Sequence, residues 1–530
     1  MLFNSYEFVL LFLPVVLTGF YFLARRGSRT PLLAFLVFAS LFFYGWWNPK
    51  FLALIALSIA VNYGFGRLMQ LGRVVAWMWV GIAFNLGLLG YFKYAGFFAR
   101  NLSDLFGLGW QMPDIILPLA ISFFTFQQIT YLVDMRHARV APHGFLEYCL
   151  FVTFFPQLIA GPIVHHKEMM PQFNDVGRFR FSWDDLGMGL SVFFVGLFKK
   201  IIIADGMAAF ATPVFSAAEV GAPIGLIDGW GGALAYTFQL YFDFSGYTDM
   251  ATGLALMFGI RLPVNFYSPY KAVSIIDFWH RWHMTLSRFL RDYLYIPLGG
   301  NRRGPVRRYS NLLATMVLGG LWHGAGWTFV AWGALHGLYL VINNLWRGQR
   351  GPAADTPTAR WAGRVLTLLA VIVAWVLFRA ESMAGAGLVL SGMAGLGGTA
   401  LPPELAEIKW AEAYRQFALL LAFVWLAPNT AQLFRLHQPT LPPERPSSNC
   451  STRLSQLRFA SGSHVSSASP THFTWYSFLP SCVVRTLTTR STSCSSSPSA
   501  SAASSCSSAV TRSMSSYRRF MSGTCAFFSL

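Results

Sequence analysis

The chain has 530 residues, of which 54% are hydrophobic, 16% aromatic and only 12% charged, and its mean hydropathy is +0.46. A soluble domain carries roughly 25% charged residues, so the composition excludes an ordinary water-soluble enzyme and points to a polytopic membrane protein. The net charge of +18 does not signal nucleic-acid binding: Lys and Arg gather in short loops, as they do on the cytoplasmic side of membrane proteins, and no soluble basic module carries them.

Residues 7–23 are apolar after Glu7 and are followed by Arg25, Arg26 and Arg29. A cleavable leader places its positive charges before the apolar run. Here they come after it, so the stretch reads as a retained first span with its arginines in the cytoplasm. Residues 31–47 form a second span that closes on Tyr44, Trp46 and Trp47, an interfacial aromatic cluster, before the turn at Asn48-Pro49. Residues 51–65 form a third, ending near Arg67 and Arg73, and 74–92 a fourth. Lys93 and Arg100 then fall outside if every span crosses once.

Residues 115–133 form a span rich in Phe and polar side chains. Residues 145–164 carry Gln157 and a Gly161-Pro162 break, and read as a broken or re-entrant segment, which is tolerated only where protein or a cavity buries it. His165 and His166 follow in a loop, where a packing role is expected. Residues 186–204 form a span whose Lys199-Lys200 pair is expected to snorkel to an interface.

Residues 233–260 embed Gln239, Asp243, Ser245 and Asp249 among aromatics. Two readings of Asp243 stand: a loop or helix-cap residue beside Ser245 and Gly246, or a carboxylate that faces an internal cavity and orients a basic partner. A carboxylate at membrane depth is uncommon without a role.

Residues 274–337 hold four of the chain's eleven histidines: His280, His283, His323 and His336. The first three each follow a tryptophan directly: Trp279, Trp282 and Trp322. An ionisable side chain in an apolar segment usually faces a cavity or a partner, and imidazole is suited to accept a proton near neutral pH. His323 and His336 are 13 residues apart, about 220° on one continuous helix at 100° per residue. They would then face different surroundings unless Gly324, Gly326 or Gly333 breaks the helix. His280 and His283, three apart, share a helical face, and one of them would cap or pair with Asp277. Asp277 is the only carboxylate near the histidines and no cysteine is close, so a metal site is not expected.

Between the histidine segments, Asn301 to Arg308 (NRRGPVRR) carries four arginines. It reads as a cytoplasmic topogenic loop. Arg302 and Arg303 would also suit docking of a phosphate-bearing donor, because guanidinium recognises phosphate well. Residues 361–378, 383–397 and 417–426 read as further spans or half-spans. The expectation is an all-α, polytopic integral membrane protein of roughly eleven or twelve transmembrane or re-entrant helices, each about 20 residues long.

The domain division falls at residue 446. Of the 84 residues from Ser447 to Leu530, 27 are Ser, none is Asp, Glu or Lys, and five of the chain's six cysteines lie there. Such a composition lacks the apolar content to fold alone, and the cysteines do not match zinc spacings. The segment reads as a disordered tail, best explained as a shifted reading frame.

Five stretches carry a resemblance to a known family: MLFNSYEFVLLFLPV, FFPQLIAGPIVHHKEMMPQF, QLYFDFSGYTDMATG, DFWHRWHMTLSRFLRDYLYIPLGGNRRG and LGGLWHGAGWTFVAWGALHG. Over 1–434 the chain resembles the membrane-bound O-acyltransferase family, most of all its alginate-acetylating branch. The tail departs from the family, which ends in a final apolar span. The resemblance implies His323, in GLWHG, as the catalytic histidine and His283 as the second polar residue, with His336 its rival. Trp322, Trp282, Asp243 and Asp277 would support them. It further implies an acetyl group taken from coenzyme A in the cytoplasm, with no permanently bound cofactor. The acceptor would be an exopolysaccharide hydroxyl, served by an extracytoplasmic transfer partner and polysaccharide-synthesis machinery, and the setting a bacterial inner membrane. The rival class is a transporter or flippase using intramembrane His and Asp as a proton relay; it predicts internal repeats, and none is visible.

Overall fold

The structure, a computed structural model, describes residues 1–110, 115–138, 144–350, 356–398 and 403–436. The Ser-rich segment 447–530, and with it the domain boundary at 446, lies outside the described residues. Every regular element among the described residues is helical.

The N-terminal helices follow the apolar runs. They are α1 (Glu7–Ala24), α2 (Arg29–Gly45), α3 (Lys50–Leu71) and α4 (Val74–Phe106). Helix α4 is continuous through a π-helical segment, Gly90–Tyr94, of the kind that re-aims side chains at functional sites. Helix α5 (Ile121–Ala138) is lined with polar residues, and α6 (Phe145–Thr153) ends at Phe154. A single turn, Phe155–Leu158, follows before the chain leaves helix at Gly161-Pro162. This break is fully buried, from Tyr148 to Val164 on most residues, so protein surrounds the non-helical backbone, as membrane depth demands.

Two long helices form the next layer: α7 (Trp183–Glu219) and α8 (Leu226–Met257). They touch backbone to backbone. A Cβ on Gly189 would stand 2.7 Å from the Gly253 carbonyl, and one on Gly246 would stand 2.8 Å from the Gly196 carbonyl. Glycines seven apart on each helix therefore make a close seam, the usual means of packing where lipid supplies no hydrophobic drive.

That seam overturns the snorkelling expectation for Lys199 and Lys200. Both point inward and are ion-paired: Lys199 with Asp249 at 2.6 Å, and Lys200 with Asp243 and Asp205 at 2.7 Å each. Two carboxylates within α8, rather than an interface, satisfy them. Asp243 itself lies mid-helix, so the loop or cap reading of that residue is excluded.

The C-terminal part comprises α9 (Met284–Leu290), α10 (Gly304–His323), α11 (Trp327–Arg350), α12 (Pro357–Arg379), α13 (Met383–Met393) and α14 (Trp410–Leu426). Helices α10 and α11 form a tight hairpin. A Cβ on Gly320 would meet the Phe329 carbonyl, and one on Gly333 the Met316 carbonyl. The hairpin turns at Gly324, so His323 and His336 do not share one helix and their angular separation does not apply. Among the described residues, α1, α3, α4, α7 and α12 are long and apolar enough to cross a membrane by length and composition, with α2 and α13 shorter. Helix α8, at 32 residues, spans about 48 Å, but its polar side chains are turned inward.

Candidate active site

Between α8, α10, α11 and α12 lies a cavity. His283 and His323 both line it, as do Trp282 and Trp322, the tryptophan before each. Asp243 and Tyr247 reach it from α8, and Trp332, Trp375 and Phe378 complete an aromatic wall. Residues from four separate regions of sequence, 243–247, 282–283, 322–332 and 375–378, therefore converge on one space.

His283 enters from an irregular loop. It occupies the left-handed backbone region (φ 42°, ψ 55°) as the N-cap of α9, a conformation that costs a non-glycine residue energy and often marks a functional site. The loop is held by a backbone ladder: Met284 N–H donates to the Asn265 carbonyl and Tyr267 N–H to the Arg281 carbonyl, both at 2.9 Å. Asn265 thereby comes beside the imidazole, with its Oδ1 3.1 Å from His283 Nδ1. The same oxygen accepts from Thr285 N–H at 3.2 Å and Thr285 O–H at 2.9 Å. A backbone N–H can only donate, so this atom is the amide oxygen and His283 Nδ1 carries the proton. His283 Nε2, buried without a protein partner, is then left with a lone pair.

His323 is the last residue of α10, held there by the hairpin turn. Its ring meets Trp322 at 4.8 Å, Trp332 and Phe378 both at 5.1 Å, and its Nδ1 has no protein partner. Trp322 is fixed in turn by a stack: its ring lies 5.2 Å from Phe126, which lies 4.1 Å from Phe289.

His336 is fully buried but does not line the cavity. It packs against Trp332 at 4.8 Å and Trp279 at 5.2 Å. Asp277 turns away to Arg281 at 2.7 Å and accepts from Val273 N–H, and His280 is exposed. Arg302 and Arg303 are exposed in the turn before α10. His165 caps a short helix, His166–Asn174, that His166 begins, and the two pair with Tyr293 at 3.1 Å and Asp134 at 3.2 Å respectively. No group of three or more His, Cys, Asp or Glu among the described residues is placed to hold a metal ion.

Sequence reasoning missed Asn265, Lys200 and Lys93. Lys200 carried a usable signal, a cation inside an apolar run, but Asp243, its partner at the cavity, lies 43 positions away. A second, polar cavity lies beside the first, lined by Lys199, Asp249, Asn265, Ser245, Thr248 and Thr430. Ser245 Oγ, Thr248 Oγ1 and Asn265 Nδ2 are buried there without protein partners.

The family described as "MBOAT, membrane-bound O-acyltransferase family" matches residues 135–385. The chain is 45% identical to the peptidoglycan O-acetyltransferase of Helicobacter pylori over 433 residues, which covers 76% of this chain and 81% of the relative. It is 40% identical to the probable alginate O-acetylase AlgI of Pseudomonas putida over 439 residues, covering 81% of this chain and 87% of the relative. A more distant match is the teichoic acid D-alanyltransferase of Streptococcus thermophilus, 29% identical over 43% of this chain and 57% of the relative.

Proposed function

Since the chain belongs to the membrane-bound O-acyltransferase family and is a multi-pass membrane O-acetyltransferase, we propose that it moves an acetyl group from a cytoplasmic thioester, acetyl-coenzyme A, to a hydroxyl destined for an exopolysaccharide outside the inner membrane. The observation that carries the proposal is the convergence of two unpartnered imidazole nitrogens, His283 Nε2 and His323 Nδ1, on one aromatic-walled cavity.

In the proposed reaction His323 removes the hydroxyl proton as the oxygen attacks the thioester carbonyl carbon. The tetrahedral intermediate collapses by breaking the carbon–sulfur bond, and His323 returns the proton to the leaving thiolate. His283 assists. Its lone pair at Nε2 accepts a hydrogen bond from a second donor on the bound substrates, a neighbouring hydroxyl or an amide N–H, since the one proton of the attacking hydroxyl goes to His323 and the Asn265-fixed tautomer leaves Nε2 an acceptor. Asp243, paired with Lys200, gives one polar point on an otherwise aromatic wall.

The second cavity supports donor entry from the cytoplasmic face. Asp249 lies farther along α8 than Asp243, toward Met257, whose carbonyl accepts from Tyr21 near Arg25 and Arg26. The orphaned hydroxyls of Ser245 and Thr248 and the amide of Asn265 would hydrogen-bond a polar thioester arm. In this proposal the acetyl group leaves on the opposite side, to an extracytoplasmic partner. Exposed Arg302 and Arg303 remain the proposed docking point for donor phosphates.

The test is acetyl transfer from labelled acetyl-coenzyme A by the purified chain in proteoliposomes. Thioester-dependent labelling of an added glycan, lost in His323→Ala, is expected. Proton-coupled substrate transport without acetylation would replace this reading with the transporter.

A further inference from the structure

The sequence places Lys93 outside the membrane at the end of a span, and the structure does not leave it there. Lys93 lies in the π-helical segment of α4, Gly90–Tyr94, and its ammonium reaches the C-terminus of α10. Its Nζ donates to the Trp322 carbonyl, to the His323 carbonyl at 3.3 Å and to Ser122 Oγ at 3.4 Å. The adjacent Tyr94 hydroxyl donates to the Leu321 carbonyl at 2.9 Å. Three consecutive carbonyls ending at His323 are thus held by two consecutive side chains from a helix some 230 positions earlier.

The chemistry of a helix end explains why this arrangement is useful. The last four carbonyls of a helix have no intrahelical partner and carry the negative end of its dipole, where a cation is favourable. At α10 those carbonyls would otherwise be left at a turn of small residues, Gly324-Ala325-Gly326, beside a reactive cavity. Farther along the same α4, Phe97, one turn on, meets the Trp327 ring at 5.8 Å, and Asn101 Oδ1, about two turns on, accepts from Trp327 Nε1 at 2.8 Å. Helix α4 therefore grips the hairpin on both sides of its turn. The Lys93 ammonium also stands 5.8 Å over the Trp322 ring.

We infer that Lys93, seconded by Tyr94, is a positioning residue that fixes the terminal turn of α10 and so sets where the His323 imidazole sits in the cavity. It does not touch the reacting groups. The inference rests on the proposed function only in that the imidazole it positions is the one taken as the base.

The test pairs turnover with a structural readout that needs no activity. The full chain in proteoliposomes is treated with diethyl pyrocarbonate, and carbethoxylation of His323 is read by mass spectrometry against His283 as an internal standard. Turnover is followed as thiol released from acetyl-coenzyme A. In Lys93→Met the ratio of His323 to His283 labelling should shift by about 3-fold or more and kcat should fall roughly 10-fold or more, since small misplacements of reacting groups are costly. KM for acetyl-coenzyme A should stay within a factor of about 2, because binding contacts are untouched. Lys93→Arg, which keeps a cation and its donors, should restore most of both. Tyr94→Phe, milder and retaining the cation, should shift the labelling ratio in the same direction. An unchanged labelling ratio in folded Lys93→Met and Tyr94→Phe protein overturns the inference, whatever happens to turnover. A shifted ratio with unaltered turnover supports the positioning role and overturns His323 as the base.

Discussion

His283 and Asn265 are joined by a hydrogen bond of 3.1 Å between Nδ1 and Oδ1, and the oxygen's two further donors from Thr285 fix which way the amide points. The imidazole tautomer is thus set by a residue 18 positions earlier on a different loop. Asn265→Ala should free the ring to take the other tautomer and lower kcat by at least about 10-fold, short of the ~10⁴-fold loss that follows wrong-tautomer substitution in a serine-protease triad. Asn265→Asp, which keeps an acceptor, should retain more activity than Asn265→Ala. Equal activity in the two variants would show that the tautomer is not what matters.

The histidines should rank by access to the cavity. His323→Ala and His323→Gln should both abolish acetyl transfer, since an amide cannot take up the proton, while membrane insertion is unchanged. His283→Ala should cost roughly 10²-fold, comparable to loss of one preorganised hydrogen-bonding group in an active site. His336→Ala, behind Trp332 and outside the cavity, should cost far less. A His336 effect larger than that of His283 would refute the assignment. Steady-state transfer rates on equal amounts of folded protein decide it.

Lys200 and Asp243 form an ion pair of 2.7 Å in which both side chains are largely buried. Removing one partner from a buried pair leaves an uncompensated charge and typically costs about 3–5 kcal/mol. Lys200→Met should therefore lower the melting temperature in detergent strongly, and the double variant Lys200→Met/Asp243→Asn should recover a large part of the loss. Additive losses in the double variant would mean that the two residues do not interact.

The α10–α11 hairpin should be sensitive at its glycine seam and indifferent elsewhere. Gly333→Val places a side chain against the Met316 carbonyl and should depress both thermal stability and activity, because the same packing holds His323. Gly348→Ala, on the same helix with open space around it, should be neutral or stabilise by up to about 1 kcal/mol, the helix-propensity difference between the two residues. Comparing melting curves and transfer rates of the two variants checks the contrast.

Polar atoms in the second cavity should affect donor binding rather than chemistry. Ser245→Ala with Thr248→Val should raise KM for acetyl-coenzyme A with kcat little changed, the pattern for lost uniform binding. A fall in kcat at constant KM would place those hydroxyls in the chemical step instead.

By itself the sequence determined the helical, membrane-embedded class. A stretch of about 20 apolar residues suffices to span a bilayer, and that is a local property of residues such as those from Glu7 to Ala24 or Pro357 to Arg379. It also marked the Gly161-Pro162 break and, through the Trp322-His323 and Trp282-His283 pairs, two imidazoles in apolar surroundings. Tertiary structure alone decided what those imidazoles face. His336 looks like His323 in sequence, yet Trp332 stands between it and the cavity. Lys200 reads as an interfacial cation until α7 is pressed against α8 by their glycines and Asp243 is found beside it. Asn265 gives no local signal, and Lys93 reads as external until α4 is seen to grip the end of α10. The assignments of Lys200, Asn265 and Lys93 each depend on a partner distant in sequence, 43, 18 and 230 positions away. Helical periodicity reports only a residue's own face, and which helix covers that face is settled by packing.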